Sequence, residues 1–322
     1  KRPYIVYTLT PKSGLLGMLA AFLCGIKNRI HNVVGLPHVE ASGKRKFILI
    51  FTERLTYFCA TKLYCNSINL VMEMKKLTKK DVSVIGNGSV NGVDIEFFKN
   101  NYTEDEQLNL RLENKIDAKD FTITFVGRIV EDKGINELIS VFTKLQKKYN
   151  NLKLLLIGDF EDDLNPISVI TKQILLSNKS IIHKEFQQDI RNFLAISDLF
   201  VLPSYREGLP NVLIEAGSFG IPLLGTDING CNEIIINNQN GLLVKMKDEE
   251  SLYNGIEQLV NDKEFYNGIK NNVIKSIVER YSQDYFYSQL YQEFSKLKIA
   301  PLKKESFDRL FLKTKEFVEK MP

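Results

Sequence analysis

The chain has 322 residues, enough for two α/β units that each bury a core. Its 44% hydrophobic and 25% charged residues are those of an ordinary globular protein, and a net charge of +4 falls well short of a nucleic-acid-binding signature. That mild excess of lysine and arginine suits an anionic lipid surface or a diphosphate ligand, and equally a solvated surface.

Four cysteines (Cys24, Cys59, Cys65, Cys231) contain no CxxC pair, and His31, His38 and His183 show no metal-ligand spacing. This pattern argues for reduced thiols in a cytosolic compartment and no structural metal. The longest apolar run, Gly14 to Ile26, is shorter than the roughly 18 residues that cross a bilayer. Nothing resembles a signal peptide. A strand begins almost at Lys1, so the sequence reads as starting inside a domain whose first part lies upstream.

Taken in chain order, short apolar runs alternate with amphipathic helices, the pattern of parallel sheets built from βαβ units. Strands are predicted at Ile5–Leu9, Arg29–Val34, Leu63–Asn66 and Val82–Ile85. Helices are predicted at Ser13–Cys24, with Ser13 as N-cap, at Lys46–Lys62 and at Ser67–Leu77. The Asn- and Gly-rich stretch from Asn87 to Thr103 reads as a connector. Six further strands are predicted: Thr122–Val126, Lys153–Ile157, Ile181–His183, Leu199–Leu202, Pro222–Gly225 and Leu242–Val244. Helices at Glu249–Val260, Glu264–Tyr281, Asp284–Leu297 and Phe307–Lys320 follow. The expected division is a first α/β domain over 1–100, a second over 101–282, and terminal helices over 283–322 that either cross back to the first or form a tail.

Two stretches carry chemistry. In Phe125 to Gly134 (FVGRIVEDKG) a strand ends in Gly127 and leads towards a helix at Ile135. Ligands of open α/β sheets gather at the carboxyl ends of strands, where a glycine admits close approach. Arg128 can fork onto phosphate oxygens, and Lys133 adds a point charge near the helix start. The competing reading is a solvated Arg and Lys on an ordinary loop. In Pro203 to Gly217 (PSYREGLPNVLIEAG) a buried strand ends, a polar loop follows, and a helix opens near Asn211. Glu207 on the loop and Glu215 in the helix can face one pocket, where a carboxylate matches a vicinal diol. The amides from Gly208 to Val212, with Leu209 and Pro210 between them, sit where a helix N-terminus receives an anion. Glu215 has apolar neighbours on both sides, so leaving it unpartnered is costly.

These two stretches, with Gly220-Ile221-Pro222, Gly230–Glu233 and Asn240–Leu243, resemble the donor domain of glycosyltransferase family four. Thr10–Gly14, Arg29–Pro37 and Gly86–Asp94 are similar to the bacterial subgroup that extends lipid-diphosphate-linked sugars in capsule or O-antigen synthesis. The resemblance spans residues 1 to about 297. It implies a GT-B fold, two doubly wound Rossmann-like domains facing a cleft, the first truncated at its start. It also implies a retaining transfer of a hexose or N-acetylhexosamine from a UDP-sugar to a polyprenyl-diphosphate-linked saccharide.

By the same resemblance Arg128 and Lys133, with Gly127, hold the donor diphosphate, Glu215 the ribose, and Glu207 the transferred sugar. His183, Lys184 and Glu185 frame the base. The two cations offset charge on the departing UDP, so no cofactor is required. His31 and Lys12 are the acceptor-side candidates, since the histidine that many members place before Gly-Leu-Pro is Val34 here. Met18, Leu19 and Phe22, with Lys44, Arg45 and Lys46 beside Phe47, Ile48 and Phe51, read either as a basic-aromatic face for a polyprenyl acceptor at the inner face of the cytoplasmic membrane or as two helices with ordinary buried stripes. Two other readings stay open: a non-catalytic nucleotide-sugar-binding subunit, and a UDP-sugar epimerase of the same fold.

Overall fold

The computed structural model describes residues 3–163 and 165–296, so the expected helix at Phe307–Lys320 lies outside the described residues. The first half holds a parallel sheet in the order β1-β2-β3-β4: Ile5–Thr8, Asn28–Val33, Lys62–Cys65 and Val82–Val84. Between these strands run α1 (Pro11–Leu23), the short α2 (Pro37–Glu40), α3 (Gly43–Cys59) and α4 (Ile68–Lys75). The N-cap of α1 is Thr10, not Ser13. Pro11 occupies the first turn, where its missing N–H costs nothing, and Thr10 and Ser13 cap each other's backbone reciprocally.

Helix α3 sits three residues earlier than the expected Lys46–Lys62. Its end is set from a distance. Lys80 Nζ donates to the carbonyls of Tyr57 and Phe58 at 2.9 and 2.7 Å, and Arg29 donates to that of Cys59 at 2.5 Å. Orphan carbonyls at a helix C-terminus need such donors. Thr61 N then bonds Arg29 O at 2.7 Å and draws the chain into β3.

After α5 (Glu104–Glu113) the second sheet runs β10-β9-β8-β5-β6-β7, again parallel. Its strands are β5 (Phe121–Val126), β6 (Leu152–Ile157), β7 (Ile181–Lys184), β8 (Leu199–Leu202), β9 (Leu223–Thr226) and β10 (Gly241–Val244). The connecting helices are α6 (Ile135–Gln146), α7 (Val169–Ser177), α8 (Arg191–Leu194), α9 (Asn211–Ser218) and α10 (Cys231–Ile234). Helices α11 (Glu249–Asn261), α12 (Lys263–Tyr281) and α13 (Gln283–Ser295) close the described chain. From β5 the chain winds outward through β6 and β7, then returns to β8 on the other side of β5. The order therefore reverses between β5 and β8, and ligands of such sheets bind at that switch point, outside the strand carboxyl ends. Both motif stretches begin there, one after β5 and one after β8.

Helix α13 leaves the second half and packs on the first sheet. Phe286, Leu290 and Phe294 bury against Ile30, Tyr64 and Ile85, and Tyr64 OH donates to Glu293 Oε2 at 3.0 Å. The two chain crossings lie side by side, with Val93 N on Tyr281 O at 2.7 Å and Gln283 N on Val93 O at 2.9 Å. A second joint fastens the halves. The Glu233 carboxylate of α10 accepts from Ser67 Oγ, Ile68 N and Asn69 Nδ2 at 2.6, 2.7 and 2.9 Å, at the amino end of α4.

Leu290 is fully buried in the α13 contact. Leu290→Ala is expected to cost about 2–5 kcal/mol, read as a lowered urea midpoint.

Candidate active site

Two loops meet at the switch point and are bound together by their own side chains. The backbone after β5 passes Gly127 and Arg128, makes a single turn at Glu131–Lys133 and enters α6 through Gly134. Gly134 has φ +70°, and a Cβ there would stand 2.1 Å from Pro203 O, so only glycine brings this loop against the end of β8. Across the seam Tyr205 N donates to Asp132 O at 2.8 Å, Tyr205 OH to Glu137 Oε1 at 2.6 Å, and Arg206 Nη2 to Asp132 Oδ2 at 2.7 Å.

That seam brings Lys133 and Glu207 into contact. Lys133 Nζ lies 2.6 Å from Glu207 Oε1, with the side chains 17% and 13% exposed. Arg128 points the other way, to Glu161 Oε2 at 2.6 Å, and its side chain is 52% exposed. Glu161 sits on the loop after β6, which His183 holds: its ring bonds Gly158 O at 2.8 Å and packs against Phe160 at 5.0 Å. Lys184 O accepts from Gly158 N at 2.9 Å. The loop that holds the partner of Arg128 is therefore anchored by the residues expected to frame the base.

Helix α9 opens at Asn211 behind Pro210, and no side chain caps its first amides. Leu209 packs into the core behind the loop. Glu215, one turn into the helix, makes no hydrogen bond or ion pair to a described residue. It lines a hollow of about 770 Å³, counted out to open solvent, together with Asn211, Ile214, Asn91, Phe97 and Gln283. Glu207 is not among those lining residues; its Oε1 faces Lys133 across the seam.

The model of the family described as glycosyl transferases group 1 matches residues 106–276, more than half of the chain. The chain belongs to that family. The transferase is 34% identical to the capsular polysaccharide biosynthesis glycosyltransferase CapM of Staphylococcus aureus, over 90% of this chain and 76% of that protein. It is 31% identical, over 80% of this chain and 67% of the relative, to the Escherichia coli UDP-Gal:alpha-D-GlcNAc-diphosphoundecaprenol alpha-1,3-galactosyltransferase. Anabaena HepE in complex with UDP superposes with a TM-score of 0.79 at 20% identity, covering 91% and 79% of the two chains. The paired parallel sheets are the GT-B fold. The transferase is thus a GT-B enzyme of polysaccharide biosynthesis.

Of the acceptor-side candidates, His31 is buried within β2, its Nδ1 2.8 Å from Thr8 Oγ1, and burial lowers it to about 4, so the ring is neutral. Its imidazole lies where a Cβ on Gly14 would intrude at 2.4 Å, which explains the glycine in α1. Lys12 is exposed in the first turn of α1 and does not line the hollow beside His31. Met18, expected at a membrane-facing surface, is fully buried in the core beneath α1. Sequence reasoning missed Glu161, Glu233 and the buried group His38, Glu53 and Tyr57. Only Glu233 stood inside a quoted motif.

Burial raises the Glu215 carboxyl from its ordinary 4.5 to about 7. The folded protein therefore holds this proton more tightly than the unfolded chain does. The associated stability is full below pH about 4.5 and lost as pH rises through about 7. Between pH 5 and 8 the ligand-free protein is expected to lose up to about 3 kcal/mol that Glu215→Gln does not lose, measured by paired urea titrations.

Proposed function

We propose that this transferase is a retaining enzyme of glycosyltransferase family four that moves a hexose or N-acetylhexosamine from a UDP-sugar to a polyprenyl-diphosphate-linked saccharide. The observation that carries the reading is the meeting of Lys133 and Glu207 at the switch point, beside Arg128 and the uncapped amides of α9. The UDP held by HepE and the lipid-diphosphate acceptor named for the Escherichia coli relative support the choice of substrates.

In this reading the donor diphosphate lies between Arg128, Lys133 and the α9 amides, and Glu215 accepts from the ribose hydroxyls. His183 and Lys184 frame the base through backbone. The bond from the anomeric carbon to the bridging phosphate oxygen breaks, and its electrons stay with UDP. The acceptor oxygen attacks on the same face and passes its proton to the departing phosphate. Arg128 and Lys133 face the charge that grows on that phosphate, where preorganised cations act most strongly. Glu207 orients the transferred sugar. Arg128 must first exchange Glu161 for phosphate, a small cost because the ion pair is largely exposed.

Transfer from a panel of UDP-sugars to a polyprenyl-diphosphate saccharide tests the activity directly. Glu207→Ala is expected to abolish transfer. Arg128→Ala should weaken UDP binding about tenfold by calorimetry, and an unchanged affinity would overturn the phosphate assignment.

In this reading the reaction takes place at a membrane, and we assign it to the inner face of the bacterial cytoplasmic membrane because the acceptor carries a lipid. No described helix is long and apolar enough to cross it. Instead α1 and α3 expose Leu16, Leu23, Phe47, Ile48, Phe51 and Phe58, and Lys44, Arg45 and Lys46 open α3 on the exposed surface. Apolar side chains with adjacent cations suit an anionic bilayer surface. The double change Phe47→Ser and Phe51→Ser is expected to reduce sedimentation with phosphatidylglycerol vesicles while leaving UDP affinity unchanged.

A further inference from the structure

The loop after β6 carries an acidic run, Glu161-Asp162-Asp163, beside the loop that carries Arg128. Backbone hydrogen bonds sew the two loops together beyond the ends of β5 and β6. Gly127 N donates to Ile157 O at 2.9 Å, Ile129 N to Asp159 O at 2.8 Å and Glu131 N to Asn165 O at 3.0 Å. Phe160 is held by the His183 ring at 5.0 Å and by Lys172 Nζ, 4.7 Å over the Phe160 ring. Lys172 Nζ also takes the Asp162 carboxylate at 2.6 Å. Glu161, between these two anchored residues, therefore stands on a fixed backbone, and its Oε2 meets Arg128 Nη1 at 2.6 Å.

The fold does not need this ion pair. Its side chains are 52% and 32% exposed, so it adds little stability, and the backbone bonds already join the loops. What it fixes is the direction of the Arg128 side chain. A guanidinium fork fits a carboxylate and a phosphate by the same planar geometry, and both draw on the same N–H groups. Arg128 is the cation assigned above to the donor diphosphate, so Glu161 and the diphosphate call on one side chain. Lys133 differs, because its partner Glu207 is itself assigned to the donor.

We infer that Glu161 is a built-in competitor for Arg128: its carboxylate takes the guanidinium in place of the diphosphate and so weakens the hold on UDP, the product that must leave after transfer. The inference rests on the phosphate assignment of Arg128 and adds the residue that tunes it. Competition of this kind bears on the phosphates alone, so neutralising Glu161 changes the affinity for UDP and not for uridine. An acid that is merely nearby repels any anion through space, screened by salt over roughly 8 Å at physiological ionic strength. Competition for one guanidinium instead requires that Arg128 be present.

The test is a double-mutant cycle on Arg128 and Glu161. UDP affinity is read by calorimetry at about 0.15 M salt, uridine affinity by NMR titration, and the fold of each variant by circular dichroism. Glu161→Gln is expected to tighten UDP about two- to fivefold, the range that an exposed ion pair supports, with uridine unchanged. Glu161→Ala serves as a second variant with the same expectation. In the Arg128→Ala background neither change should alter UDP affinity. Asp163→Asn, which removes an equal charge two residues along the loop, should tighten UDP less than Glu161→Gln does. UDP affinity unchanged or weakened in the folded Glu161 variants, alongside a loss in Arg128→Ala, overturns the competitor and leaves the phosphate assignment standing. A gain that persists without Arg128, or that Asp163→Asn reproduces in full, also overturns it, because the charge then acts through space. No loss of UDP affinity in Arg128→Ala overturns the phosphate assignment, and the inference falls with it.

Discussion

The arrangement of the cleft depends on one carboxylate. Glu233 of α10 reaches from the second half and takes the first amides and the capping hydroxyl of α4 in the first half. Its negative charge meets the positive end of the α4 dipole, an interaction of roughly 0.3–1 kcal/mol at a surface and more when partly buried. The backbone of the same residue is gripped from behind, since Tyr281 OH donates to Glu233 O at 2.8 Å. Tyr281 O in turn accepts from Val93, on the other chain crossing. The joint between α10 and α4 and the two chain crossings therefore form one hydrogen-bonded unit.

Within the cleft the charges are arranged in two ways. Around the switch point every loop cation discussed above already has a carboxylate: Lys133 with Glu207, Arg206 with Asp132, Arg128 with Glu161. Exposed ion pairs such as Arg128–Glu161 and Arg206–Asp132 add little stability, so these contacts are better understood as setting loop geometry. Glu215 is the opposite case: it lines the hollow beside α9 with no hydrogen bond to a described residue. The pattern sets a group of paired charges at the switch point beside one acid, Glu215, that no described side chain engages.

Much of this was legible in the chain. The strands follow from apolar runs, and the two glycine-punctuated loops mark the donor centre because the chemistry there is local: Arg128 and Lys133 are five residues apart, Glu207 and Glu215 eight. What stayed hidden depends on contacts between distant residues. Nothing near Cys59 foretells that Lys80 and Arg29 end α3, and nothing near Glu233 foretells α4. Glu53 reads as one more charged residue in a helix until His38 and Tyr57 are seen around it. Met18 was misplaced for a related reason. Most of α1 is apolar, so periodicity alone does not say which stripe faces the sheet.

The return of α13 to the first sheet has a consequence in time. Tyr64 and Glu293 are 229 positions apart, and the face of β2 and β3 carrying Ile30 and Tyr64 is covered by α13. A ribosome adding roughly 5–20 residues per second leaves that face bare for about ten to fifty seconds. The first half thus emerges early and finishes last, while the second half has its own large core available as soon as it is made. A nascent chain of this enzyme leaves Ile30, Tyr64 and Ile85 as a waiting patch, the kind of surface that holding chaperones engage.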